Sequence, residues 1–142
     1  DHIEERDINV SLVVAMQATS PLRSTSDLDG GVTTLTENGF DSLLSVVEVE
    51  DFFTWRRNES GCAESVNYDY LNRKRRQQIE RRYLENGSFY VFHPHILRTQ
   101  MNRLGGKIGL YIMSRSKMFQ IDSPEDVTIC SAIMQGFGLD RP

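Results

Sequence analysis

Four short stretches of this 142-residue chain carry side chains that could do chemistry. In MQATSPLR (16–23) an apolar run gives way to Gln17, Thr19, Ser20 and Arg23. Ligands of open α/β sheets sit beyond the carboxyl ends of strands, so these side chains stand where a ligand would be. They would serve equally as an ordinary polar strand-to-helix turn. The run RKRRQQIERR (73–82) holds six cationic residues and one acid, with arginine outnumbering lysine five to one. A guanidinium fork grips carboxylate or phosphate through two parallel hydrogen bonds, which an ammonium cannot do. The run is therefore a solvated face, a nucleic-acid arm or one wall of an anion site. In ENGSFY (85–90), Asn86-Gly87 is a turn signal and Tyr90 follows on a strand; a hairpin turn leading into core aromatics is the plainer reading. In QIDSPED (120–126), Asp122 stands just before a helix start, where it could ligate a hard divalent cation beside phosphate oxygens or simply assist capping.

Composition narrows these choices. The net charge is −4, so the basic run is a local feature of an acidic chain. That weighs against nucleic acid, which normally calls for a basic domain. No stretch approaches the roughly 18 apolar residues of a membrane span. Cys62 and Cys130 lie far apart and outside any metal-ligand spacing, as expected for reduced thiols of a cytoplasmic protein.

The elements that must position these residues are those of an α/β fold. VSLVVAMQ (10–17) reads as a strand covered on both faces, ended before Pro21. Ser26 is the expected N-cap of a helix that carries Leu28, Val32 and Leu35 and stops at Asn38-Gly39. DSLLSVVEVE (41–50) is a second strand, and a strand–helix–strand unit predicts a parallel sheet with a right-handed crossover. Residues 51 to 70 read as a short strand, a turn near Asn58 to Gly61 and a return. Strands are expected at 87–94 and 107–114, with a short helix over His95 to Asn102 between them. A last helix begins at Ser123-Pro124, would bury Val127, Ile129, Ala132 and Ile133, and ends at Gly136 or Gly138.

QATSPLR, RKRRQ, ENGSFY and IDSPED, in that order and with Arg76 ten residues before Asn86, resemble the motifs of the acylneuraminate cytidylyltransferases (CMP-sialic acid synthetases). The resemblance runs from about Val10 to Met134. It implies a Rossmann-like nucleotidyltransferase core, residues 1–50 and 86–142, forming a single domain with a dimerisation and sugar-binding insertion at about 51–85. It implies transfer of CMP from CTP to a sialic-acid-type sugar acid. It further implies that Gln17 hydrogen-bonds the sugar, that Arg23 orders the catalytic loop and that Arg76 reaches the sugar carboxylate across a dimer interface. Asn86 and Tyr90 would line the sugar pocket, and Asp122 would be catalytic through a bound Mg²⁺.

Two departures qualify these implications. Where the family usually carries two aspartates two residues apart, this chain has Gln120 and Asp122, and an amide is a poorer Mg²⁺ ligand than a carboxylate. The Gly/Ser/Arg/Lys-rich loop with which the family binds CTP has no counterpart, so the resemblance covers only the C-terminal two-thirds, and the core is expected to be truncated at its N-terminal strands. A sheet lacking those strands would expose an apolar edge. The chain is accordingly expected to be a homodimer or to need a complementary N-terminal piece, and to be inactive alone. A non-catalytic remnant serving as a binding or assembly module is the alternative.

Overall fold

Which strands lie at the centre of the sheet follows from which runs are apolar on both sides. In the computed structural model, which describes residues 9–50 and 52–139, the Val/Leu run of β2 (Ser42–Val49) is buried almost throughout. Beside it lies the long β5 (Arg82–Phe92), buried from Asn86 onward. β1 (Val13–Met16) and β6 (Ile108–Met113) form the edges, giving the order β1-β5-β2-β6. β5 runs antiparallel to both β1 and β2, and β6 runs parallel to β2. Three strands thus point one way and β5 the other, a mixed sheet within an α/β fold.

The expected parallel unit needs correction on this point. β1 and β2 do share a direction, but β5 lies between them. Nor is β1 covered on both faces: its residues alternate between half-buried and exposed, with Met16 half exposed. An edge strand has one neighbour, and nothing among the described residues packs over Met16 closely enough to bury it.

The helix between β1 and β2, α1 (Thr25–Asn38), starts one turn-residue pair earlier than expected. Its N-cap is Ser24, not Ser26, and the Asp27 carboxylate accepts from both the backbone N–H and the hydroxyl of Ser24 at 2.7 Å. Such reciprocal capping satisfies donors that the first helical turn otherwise leaves free. Gly39 ends the helix in the left-handed region. α1 covers one face of the sheet, where Leu35, Leu43, Val47, Phe89, Val91 and Met113 form the main core. Each such side chain contributes about 1.5–3 kcal/mol when fully buried. The helix approaches so closely that a Cβ on Gly31 would sit 2.4 Å from the Phe89 ring. On the other face Leu44, Val46, Tyr90 and Phe92 form a smaller cluster with Leu104.

Between β2 and β5 a hairpin of β3 (Trp55–Arg57) and β4 (Ala63–Ser65) forms its own two-stranded sheet, turning at Asn58 to Gly61. Phe53, Trp55, Tyr68 and Tyr70 pack ring against ring along it. β5 begins at Arg82 rather than near Gly87, so part of the basic run enters the main sheet, with Arg82 pairing Val49. α2 (Pro94–Gln100) follows with Pro94 in its first turn.

α3 (Pro124–Phe137) has the predicted start, Ser123 then Pro124, and ends at Gly138. Its expected buried side is only partly covered: Cys130 is buried and Ile129 and Ile133 are half-buried, while Val127 is about half exposed and Ala132 is open to solvent. Both cysteines are free thiols, Cys62 exposed and Cys130 buried. Among the described residues no helix is long and apolar enough to cross a membrane.

Candidate functional site

Because β1, β2 and β6 point the same way, the segments that leave their carboxyl ends gather at one end of the sheet. Gln17 leaves β1 there, and Gln120 and Asp122 follow the 3-10 turn Arg115–Met118 after β6. β5 contributes from within the sheet. Its register against β2 shifts between Leu44, which faces Tyr90, and Val46, which faces Glu85. The residues between form a bulge, with Gly87 at φ +60°. A bulge re-aims side chains that a regular ladder would hold in place.

Gly87 is the floor of this place. A Cβ there would lie 2.4 Å from Gln17 Oε1 and 3.1 Å from Gln120 Oε1. Two side-chain amides therefore converge over a bare backbone position. The backbone N–H of Gln17 donates to the Ser88 carbonyl at 3.2 Å, and that of Ile121 to the Thr19 carbonyl at 2.7 Å, so both converging segments are tied to their neighbours. Alanine at Gly87 would combine the cost of a left-handed backbone, about 1–2 kcal/mol, with displacement of the Gln17 amide. Gly87→Ala is expected to lower stability by about that amount in urea denaturation; an unchanged midpoint would show that the bulge relaxes freely.

Asn86 lies beneath this floor, 1% exposed and fully engaged. Its Oδ1 accepts from Ser45 Oγ (2.7 Å) and the Ser88 N–H (3.3 Å), and its Nδ2 donates to the Lys117 carbonyl (3.0 Å) and the Met113 sulfur (3.2 Å). Arg23 is engaged as well: its Nη1 donates to the carbonyls of Ser20 (2.6 Å), Gln17 (3.0 Å) and Ser88 (3.3 Å). Lys117 anchors the far side through its ammonium, 2.5 Å from the Asp27 carboxylate.

Tyr90 faces the smaller core cluster, 2% exposed. Its hydroxyl donates to Glu85 and accepts from Arg103 at 3.0 Å, and the Arg103 guanidinium lies 3.9 Å over its ring. Burial and the Glu85 hydrogen bond raise the phenol's pKa above its ordinary value, against the opposing pull of Arg103. Arg76 stands on the 3-10 turn Arg76–Gln78 of the insertion, exposed and ion-paired with Glu50 just past β2. Arg81 reaches Glu48 at 3.7 Å, and both pairs border a depression of about 390 Å³. Of the expected site residues, then, Gln17 stands at the convergence, with Asp122 two residues beyond Gln120. Asn86 and Arg23 lie behind it as supports, Tyr90 is buried but bonded through its hydroxyl to the exposed Glu85 and Arg103, and Arg76 is occupied by a carboxylate.

The residues do not by themselves fit a Mg²⁺ site. Asp122 is exposed, and its neighbour Asp126 is committed to the cap of α3, accepting from the N–H of Asp122 and from both the N–H and the hydroxyl of Ser123. The Ser123 hydroxyl leads the hydrogen bonds that hold the Asp126 carboxyl below its ordinary pKa. Gln120 offers a neutral oxygen, and no cluster of three His, Cys, Asp or Glu side chains suited to a metal occurs among the described residues.

Sequence reasoning missed Ser45, Ser88, Lys117 and the part played by Gln120. A serine inside the apolar run LLSVV was the available signal for Ser45, since a buried hydroxyl calls for a partner.

No protein-family model matches the chain. It is 31% identical over 139 residues to an N-acylneuraminate cytidylyltransferase of Oncorhynchus mykiss, an alignment covering 94% of this chain and 32% of the relative. N-acylneuraminate cytidylyltransferase A of Danio rerio is 32% identical with the same coverage. A post-translational flagellin modification protein B of Campylobacter coli is 27% identical over 123 residues, 87% of this chain and 52% of that protein. The chain is thus related to the acylneuraminate cytidylyltransferases, as its ordered motifs implied, and spans about a third of the length of the first two.

Proposed function

We propose that this chain supplies the sugar-acid-binding and dimerising part of a cytidylyltransferase that acts on CTP and a sialic-acid-type sugar. The observation that carries the reading is the convergence of Gln17 and Gln120 over Gly87 at the carboxyl ends of parallel strands. It occurs in a chain similar along almost its whole length to proteins named for that reaction. In this reading Gln17 contacts the sugar, Arg23 and Asn86 hold the loop and bulge that present it, and Arg76 exchanges Glu50 for the sugar carboxylate. The exposed Arg76–Glu50 pair is worth no more than about 1 kcal/mol, so a ligand carboxylate can compete for the guanidinium. Tyr90 holds the exposed Glu85 and Arg103 through its hydroxyl. Asp122 is a carboxylate two residues from Gln120, and no step here is assigned to a metal.

Assembly follows from the surfaces. Trp55, Tyr70 and Leu71 on the insertion are all about half exposed or more, a cluster suited to a second copy of the chain. The outer edge of β1 has no strand beside it among the described residues, and such an edge is a template for a complementary segment.

The test measures sugar-acid binding and pyrophosphate release on the same preparation, with N-acetylneuraminic acid, CTP and Mg²⁺. Binding without release is expected for the chain alone, with release appearing when the N-terminal segment of a related enzyme is added in trans and vanishing in Asp122→Ala. Binding with no release under either condition would favour a non-catalytic binding or assembly module, which the replacement of a carboxylate by Gln120 already suggests. No sugar-acid binding at millimolar concentration would sink both readings.

A further inference from the structure

Gln17 and Gln120 bring their amide ends together over Gly87, within 2.4 and 3.1 Å of the point a Cβ would occupy. Neither amide has a side-chain hydrogen bond to any described residue, whereas Ser20 Oγ, Ser45 Oγ and the Asn86 amide around the bulge are all engaged. Two idle amides over a bare backbone position form a place built for something the chain itself does not supply.

Its chemistry is definite. Each carboxamide offers one acceptor oxygen and two N–H donors, and neither group carries charge. A hard divalent cation prefers carboxylate and phosphate oxygens, so the pair is poorly suited to one. A neutral group that displays a donor and an acceptor side by side, an acylamido group or a vicinal diol, matches it.

We propose that Gln120 is a ligand-reading residue that pairs with Gln17 to grip an acylamido or vicinal diol group of the bound sugar acid. The proposal rests on the sugar-acid reading above. It places Gln120, which takes the position of a carboxylate in the resembled family, on the sugar and not on a metal.

The test uses the full chain with ¹⁵N label, following the side-chain NH₂ signals of Gln17 and Gln120, assigned through Gln17→Ala and Gln120→Ala. The probes are N-acetylneuraminate and the nonulosonate that carries a hydroxyl in place of the acetamido group. Both amide signals are expected to move on titration, and Gln120→Ala is expected to weaken binding about tenfold, within what paired neutral hydrogen bonds supply. If the acylamido group is read, Gln120→Ala also removes the difference between the two sugars; if a diol is read, both sugars weaken alike. Gln120→Glu, nearly the same shape, should lose the sugar at an unchanged melting temperature, which separates reading from folding. Binding that Arg76→Ala weakens and Gln120→Ala does not would overturn this inference and leave the sugar-acid reading standing. Selective broadening of the Gln120 amide by Mn²⁺ in the unsubstituted chain would overturn it as well. Failure of either sugar to bind would overturn both.

Discussion

Replacing Asp27 with alanine should cost about 3–4 kcal/mol of stability, because it leaves a buried ammonium without its counter-charge. The Asp27 and Lys117 side chains are only 9% and 12% exposed, and they meet at 2.5 Å. Lys117 Nζ also donates to Ser24 Oγ at 3.1 Å, so one carboxylate joins the start of α1 to the turn after β6. Loss of the Ser24 cap is part of the cost, about 1 kcal/mol of the whole. Burial alone would raise the Asp27 pKa, but the hydrogen bonds from Lys117 and Ser24 outweigh it and hold the carboxyl below its ordinary value. A folded pKa below the unfolded one gives stability that is complete above about pH 4 and disappears as pH falls through the folded value. Urea denaturation from pH 7 to pH 3 should therefore show the unsubstituted chain losing stability on the acid side, with Asp27→Asn weaker at pH 7 and less pH-dependent below it. A loss under 1 kcal/mol for Asp27→Ala at pH 7 would mean that water replaces the carboxylate and that the pair does not clamp the two segments.

That pair also shows why the sequence was only partly legible. Asp27 was readable as an acid favouring a helix start, and Ser123-Pro124 as a helix start outright, since capping is local chemistry. Lys117 carries no local mark that it lies over a helix ninety residues away. The runs 41–50 and 107–114 were legible because burial on both faces or one face leaves an apolar signature along the chain itself. Strand order was not legible: β5 inserts between β1 and β2 by a long connection through the hairpin, and no residue of β1 encodes which strand will lie beside it. α3 illustrates the opposite limit. Its apolar residues promised a buried side, yet Val127 and Ala132 face solvent and Ile129 and Ile133 are covered only in part, because periodicity reports what a helix could bury and not whether a partner is present. At the site, the motifs singled out Gln17 and Asn86, which the fold brings to the two sides of Gly87. The sequence could not tell that Asn86 would be consumed by internal hydrogen bonds while Gln120, which first looked like a defect, would stand unengaged over Gly87.

Asn86→Ala is the second large effect expected, about 3 kcal/mol. The substitution strips acceptors from the Ser45 hydroxyl and the Ser88 N–H and a donor from the Lys117 carbonyl, all at an almost fully buried position. Each buried group left unpaired costs about 1–3 kcal/mol, and the lost side-chain volume adds a cavity term. Ser45 Oγ keeps one contact, accepting from the Phe89 N–H at 3.0 Å, which limits the loss. Asn86→Asp sharpens the test because it keeps the shape. An ionised carboxylate there would face the Lys117 carbonyl and the Met113 sulfur, neither of which can donate to it. Its pKa should therefore rise on folding, so that the variant becomes relatively more stable as pH falls, opposite in sign to Asp27. Chemical denaturation of both variants across pH decides the matter. Large losses of stability that precede any loss of ligand binding would identify Asn86 as the residue that holds the bulge, through which Gly87 and the two amides are presented. Native-like stability with binding abolished would instead make Asn86 itself a ligand contact, and the buried network would have to open for the ligand to reach it.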